Sequence, residues 1–418
     1  MLRTGASGGL DRFLTFVLVL LSGHPVVLQY AAEATLICFF FILLVLALIR
    51  SVRPRLADML LIVSFFAVSA FHLFQFQTII LSAVLGFLLK LLIAFLAART
   101  LRDFERTYVE VMYVLAIIGV LTFGLYQSLY LFGIDPHATL TPLSLLDDDR
   151  VHIGLHNFNR LEETHRNSGL FWEPGAFAGY LLLGIVFLAA TKETYTRYRY
   201  RRRLMLFVIA LLSTQSTVGY LVAPIALTLH VLPTLRRMPR RLHAPAIFGA
   251  IALVSVLSVL IAGQFSFLWP KVEEQLYEVS SQERGWATTR FGGAVYDAEF
   301  IAERPLTGWS AHPATREGID PLISELLKSH GNGLTTFIVR FGLLGLFVYV
   351  FATFRSMRLL FGGQSLYATI SLFVILVLTN GEQYLDFPLF LAAMFVGSSY
   401  GLYPAPGLRL SQLEKRAP

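Results

Sequence analysis

Apolar residues in this chain do not alternate with polar ones but run in long blocks, at about 13–30, 33–49, 57–75, 77–98, 108–132, 170–190, 244–268, 334–352, 365–380 and 385–403. Most lie near the ~20 residues that a helix needs to cross a ~30 Å hydrocarbon layer, so each is read as a spanning helix. Residues 204–232, "LMLFVIALLSTQSTVGYLVAPIALTLHVL", form one further block with strong basic clusters at both ends. Basic flanks favour the cytoplasm, so an odd number of crossings there breaks the charge rule. The block is expected to hold two short helices broken at "STQSTVG", entering and leaving on one side, the plain alternative being one long tilted helix. Broken backbone at membrane depth survives only where protein or a water-filled cavity surrounds it, which puts this break beside the functional cavity. The pattern predicts an all-α polytopic bundle of about twelve membrane segments, one membrane domain over 1–418.

Composition agrees. Of 418 residues 56% are hydrophobic and 15% charged, and the mean hydropathy is +0.64. That apolar content exceeds what a water-soluble core of this size needs. The single cysteine, Cys38, lies inside a block, so neither disulfides nor cysteine-ligated metals organise the fold. Arg3 and Arg12 before the first apolar run imitate a signal peptide, but the region after Ser22 lacks a convincing small-x-small cleavage site, and the run is read as a retained first helix.

Charge then orients the bundle. Basic clusters at Arg50/Arg53/Arg55, Arg99/Arg102/Arg106, 192–203, 236–241 and Arg355/Arg358 are expected to face the cytoplasm, with both termini. Two long loops fall outside, about 133–169 and about 269–333. Both are acidic, with 3 basic against 6 acidic residues in the first and 6 against 10 in the second. The net charge of +7 is thus a topology signal and not a mark of nucleic-acid binding.

Scarce basic residues in acidic loops carry the candidate chemistry. In the first loop, "DDDR" at 147–150 stands beside His152 and His156; the spacing matches no closed metal-ligand set, so a solvated loop is expected, with a cation site as the alternative. Arg166 precedes the helix that begins at "LFWEPGAF", where an interfacial anchor and an anion-binding arginine both fit. Pro174 belongs to that helix's first turn, and Glu173 beside it either caps the helix or faces a cavity and orients Arg166 or Arg290. In the second loop, Ala294, Val295, Ala298 and Ile301 share helical spacing beside Asp297, Glu299 and Glu303, an amphipathic helix ended by Pro305 and Gly308. Arg290 opens it next to two glycines, and Arg304 and Arg316 are read as solvated. His330 stands between glycines before the next spanning helix, with Asn332 close behind. Arg340 lies about two turns inside that helix, at ~10 Å depth, where a charge is costly unless it meets a cavity or a counter-charge. Glu382 and Asp386 in "NGEQYLDFP" are the expected partners, and Lys90 is read as snorkelling from the inner end of its helix. Arginine forks suit phosphate oxygens and a histidine can accept a hydroxyl proton, so the set fits group transfer from a lipid-linked diphosphate.

Three stretches, "RNSGLFWEPGAFAGYL", "TTRFGGAVYDAEFIAERPLTGWS" and "HGNGLTTFIVRFGLLGL", together with the break "LLSTQSTVGYL", resemble the bacterial O-antigen polymerase and O-antigen ligase superfamily of surface-polysaccharide assembly. The likeness spans about 100–350; the ends match in hydropathy alone. It implies a bacterial inner-membrane protein with its active face in the periplasm, and glycosyl transfer without metal or other cofactor from an undecaprenyl-diphosphate-linked saccharide. It also implies that Arg166 and Arg290, and by the argument above Arg340, hold the diphosphate. His330 would be the base with Glu173 beside it, supported by Glu382, Asp386 and Asn332. Donor and acceptor glycolipids would be the partners, with a chain-length regulator or flippase of the same pathway. In "HGNG" a glycine separates His330 from Asn332, and the interval to Gly342 and Gly345 is one residue longer than in the ligases, which sets the chain apart from that branch.

The leading expectation is a repeat-unit polymerase. The rival is a ligase whose acceptor is lipid A-core or another molecule. Against a transporter of the same lipid, no internal repeat relates the two halves, and most of the polar singularities lie on one face rather than at the midplane. A signalling or scaffold protein is the remaining class.

Overall fold

The computed structural model describes residues 8–30, 32–77, 81–146, 150–159, 165–237, 289–316 and 332–397. The expected segment 244–268, Asp147 to Asp149, His330 and the end of the last block lie outside the described residues.

The chain is mostly helical: α1 Gly9–Gly23, α2 Pro25–Tyr30, α3 Ala32–Ile49, α4 Leu56–Phe76, α5 Leu81–Thr100, α6 Phe104–Leu131, α7 Pro136–Leu140, α8 Pro174–Ala190, α9 Arg197–Thr214, α10 Thr217–Arg237, α11 Arg290–Glu303, α12 Gly333–Leu360, α13 Ser365–Gly381 and α14 Pro388–Ala392. Among the described residues α4, α5, α6 and α12 are long and apolar enough to cross a membrane, and α3, α8, α10 and α13 hold shorter apolar stretches, as in a membrane-embedded helical protein. The helix α8 is the hub, buried along nearly its whole length and packed against α6, α9, α10 and α13. A helix this apolar on every side belongs in a bundle interior.

The basic clusters that fall on described residues meet at one end. Arg50 pairs with Asp11 at 2.6 Å, Arg99 with Asp58 at 3.7 Å, and Arg106 with Glu110 at 3.3 Å. Arg203 lies over the Tyr113 and Tyr195 rings, and Arg355 reaches Asp58 at 4.0 Å. The starts of α8 and α12 and the end of α13 form the other end.

Several expectations change. The 204–232 block does break where expected, with Gln215 in the left-handed region at φ 47° between α9 and α10. The two helices are longer than that block, because helical residues continue through the basic flanks; 18 and 21 residues span about 27 and 31 Å. In place of a long helix over 385–403, α14 is five residues long and continues as tight turns to Gly397, buried against α1 and α5. The first loop is not simply solvated. Val151–Ile153 (β1) and His156–Phe158 (β2) pair as an antiparallel hairpin. His152 and His156 are buried there; Asn157 Oδ1 is 2.9 Å from His152 Nδ1, and the Asn157 amide donates to Phe171 O at 3.1 Å.

The helix α12 is interrupted at Gly342, whose backbone (φ 67°, ψ −177°) is not helical. Residues 305–310 of the second loop lie in the gap. Trp309 N donates to Val339 O at 2.7 Å and Ser310 N to Arg340 O at 3.0 Å, while Leu343 N and Leu344 N donate to Pro305 O and Leu306 O at 2.8 and 3.1 Å. The loop thus supplies the hydrogen bonds that the broken helix cannot make for itself.

Candidate functional site: a carboxyl pair and an arginine at the helix mouths

Pro174 opens α8, and its missing N–H costs nothing there. Glu173 is the residue before the helix, and its side chain makes no capping bond. It turns instead toward Glu382, which follows the last residue of α13, and the two carboxyls share a hydrogen bond. Arg290, the first residue of α11, donates to Glu382 Oε1 through Nη2 at 3.1 Å. The Trp172 indole beside Glu382 favours its ionised form. The absence of a side chain at Gly175 makes room for the group: a Cβ there would lie 2.9 Å from Glu382 Oε1 and 3.1 Å from Glu173 Oε1. Tyr384 fixes the strand of chain behind it by donating to Gly175 O at 2.8 Å.

Two half-buried carboxyls that share a hydrogen bond cannot both ionise freely. Burial, the Glu173 charge and their shared hydrogen bond push Glu382 well above the ordinary 4.5. Burial also acts on Glu173, but the hydrogen bond from Glu382 and the charges of Arg290, Arg150 and Arg166 outweigh it and hold Glu173 below 4.5. The pair therefore favours the protonated form of Glu382 beside the ionised form of Glu173.

The backbone around Arg166 is anchored to the α9–α10 break. Asn167 N donates to Ser213 O at 3.0 Å, its amide to Ser213 Oγ at 2.9 Å, and Gln215 Nε2 to His165 O at 3.2 Å. Arg166 acts electrostatically on both Glu173 and Tyr220. Asn332 is the N-cap of α12: its Oδ1 accepts from Thr335 N at 3.1 Å, and its amide donates to Arg290 O at 3.4 Å. So Glu173, Glu382, Arg290, Arg166 and Asn332 belong to one neighbourhood.

Arg340 belongs to another. It pairs with Asp386, and Lys90, at mid-helix in α5, lies within electrostatic reach of both instead of snorkelling from the inner end. Two arginines read as solvated are not. Arg304 lies over the Phe76 and Trp309 rings at 4.9 and 4.3 Å, and Arg316 is 1% exposed. The inward face of α11 also differs from the expected one. Tyr296, Asp297 and Phe300 are buried and Val295 and Ala298 are not, because Thr335 Oγ1 (2.6 Å) and Thr336 Oγ1 (3.4 Å) of α12 donate to Asp297 Oδ2. Sequence reasoning missed Arg150, which adds to the field on Glu173. Only the rarity of cations in that loop pointed to it.

Comparison with protein-family models and with curated proteins finds no match.

Proposed function

We propose that this chain is a membrane glycosyltransferase that polymerises undecaprenyl-diphosphate-linked oligosaccharide units at the periplasmic face of the bacterial inner membrane. The observation that supports it is the Arg290–Glu382–Glu173 group at the mouths of α8, α11 and α13, a cation held by a carboxyl that can release it. A diphosphate arriving at this mouth competes with Glu382 for the Arg290 guanidinium, and phosphate accepts a bidentate arginine better than a neutral acid does. Arg166 and Arg150 add positive potential on the same side. In the transfer step the acceptor hydroxyl oxygen bonds to the anomeric carbon and the anomeric carbon–phosphate bond breaks. The diphosphate leaves with the bond pair, stabilised by the arginines, and the hydroxyl proton passes to His330 or to the ionised Glu173. A ligase would use the same steps with a lipid A-core acceptor, so the product tells them apart. Reconstituted protein given a lipid-linked repeat unit should build a ladder of longer chains, and Arg290→Ala should abolish it at unchanged protein level. A ladder that survives Arg290→Ala overturns the assignment of this site, and transfer to lipid A-core without a ladder overturns the polymerase reading.

A further inference from the structure

The second cationic group has a composition that the glycosyl-transfer reading does not use. Arg316, which closes a short turn at Pro313–Thr315, is the largest fully buried side chain among the described residues. No hydrogen bond reaches its Nε, Nη1 or Nη2 among those residues, and its guanidinium lies 5.7 Å from the Phe300 ring centroid. Burying a guanidinium without acceptors costs several kcal/mol, far more than a ring face at that distance returns. Its electrostatic neighbours are Arg340, Asp297 and Tyr296. Asp297 accepts from Thr335 and Thr336 through Oδ2. Arg340 spends Nη1 on Asp386, and its buried Nε has no hydrogen-bond partner.

Among the described residues, three cations, Arg316, Arg340 and Lys90, lie within electrostatic reach of two carboxylates, Asp386 and Asp297. A carboxylate ligand would only repeat what Asp386 does for Arg340. A phosphoryl group brings up to two charges and three oxygens, the acceptors that the Arg316 nitrogens and Arg340 Nε lack among the described residues. We infer that Arg316 and Arg340, with Lys90 behind them, form a second anion site for a phosphoryl group, separate from the Arg290 mouth. The burial of Arg316 beside another arginine pulls its pKa down to about 10, which a bound anion would reverse. The phosphoryl group has two possible sources, free phosphate or the headgroup of a phosphomonoester lipid.

The test uses the full chain carrying Arg290→Met, so that a failure of the first site does not enter. Inorganic phosphate is titrated against protein in phosphatidylcholine nanodiscs at constant ionic strength, and nanodiscs containing phosphatidic acid are examined by native mass spectrometry for retained lipid. The site predicts saturable phosphate binding, or selective retention of phosphatidic acid, or both; phosphate binding identifies the free anion as a ligand and lipid retention the headgroup. Adding Arg316→Met should weaken either by about tenfold or more and raise the unfolding temperature in phosphate-free buffer, since an uncompensated buried charge is removed. Where Arg316→Met does not fold, Arg316→Lys should weaken binding through loss of the fork, and Asp386→Asn should tighten it by freeing Arg340. Absence of both kinds of binding, or binding that none of these substitutions alters, overturns the inference.

Discussion

The carboxyl pair yields a prediction whose sign is unusual. If Glu173 and Glu382 share one proton, either single change to glutamine leaves one carboxylate able to ionise beside Arg290. In Glu382→Gln that carboxylate is Glu173, already ionised; in Glu173→Gln it is Glu382, no longer raised by a neighbouring charge. Each single variant should then cost about 1 kcal/mol or less, the scale of one altered hydrogen bond. The double variant leaves Arg290 with no anion in the pair. Breaking a buried ion pair costs about 3–5 kcal/mol, but the Arg290 side chain is 32% exposed, so solvent screening brings the expected loss to about 2–3 kcal/mol. The double change should therefore exceed the sum of the singles, which stays below about 2 kcal/mol. The pH dependence follows the same logic. Glu382 is raised in the folded state, so its contribution is full below 4.5 and is lost as pH climbs toward its own ionisation; Glu173 is lowered, so its contribution is present above 4.5 and lost as pH falls. Thermal unfolding in detergent, followed by tryptophan fluorescence from pH 4 to 9, measures both. Additive costs, or a Glu382→Gln protein that keeps the wild-type decline above pH 4.5, would refute the shared proton.

Three further outcomes can be checked on the same purified protein. Burial holds His156 down to about 3 from an ordinary 6.5, so folding loses stability as pH falls below 6.5, roughly 3 kcal/mol by pH 4, and His156→Leu should remove that slope in acid-unfolding curves. Tyr384→Phe removes the bond to Gly175 O and should cost about 1 kcal/mol of thermal stability, whereas Gly179→Ala, whose Cβ would overlap the Tyr384 hydroxyl, should cost more. Gly342→Ala places a methyl at φ 67° against the Leu306 carbonyl and should cost about 3 kcal/mol or more, read as a loss of the monodisperse peak in size-exclusion chromatography.

Block hydropathy located most of the helices, since a spanning helix is specified by some twenty consecutive residues and no distant partner. It also predicted that basic clusters share one end, and the pairs Arg50–Asp11, Arg99–Asp58 and Arg355–Asp58 lie there. The scarcity of basic residues in two acidic loops singled out Arg166 and Arg290, and the acid at a helix start singled out Glu173. What escaped depends on contacts between distant segments. The inward turn of Asp297 needs the two threonines of α12, some forty residues on. Arg316 reads as a loop cation until the fold covers it, and Lys90 as an anchor until Asp386 is brought beside it. A five-residue buried helix at Pro388–Ala392 looks, in hydropathy alone, like the start of another span.

The two helix breaks suggest why polar loops can sit at this depth at all. At Gln215, the end of α9 leaves carbonyls without helical partners, and Asn167 N of the first loop takes the Ser213 carbonyl. At Gly342, four orphan groups of α12 are taken by residues 305–310 of the second loop. Each loop is thus attached through the backbone of a broken helix, in places where lipid could not satisfy those groups. The attachment points are close in sequence to the arginines: Asn167 follows Arg166, and Arg340 is itself a carbonyl acceptor for Ser310. Side-chain substitutions in the loops leave these bonds in place, so Arg166 or Arg340 can be altered with the loops still seated. A change that closes a break displaces a loop and its arginine together. Gly342→Ala should on this account disturb Arg340 and the turn that carries Arg316, while the Arg290–Glu382 contact, anchored by Asn332 and α13, stays.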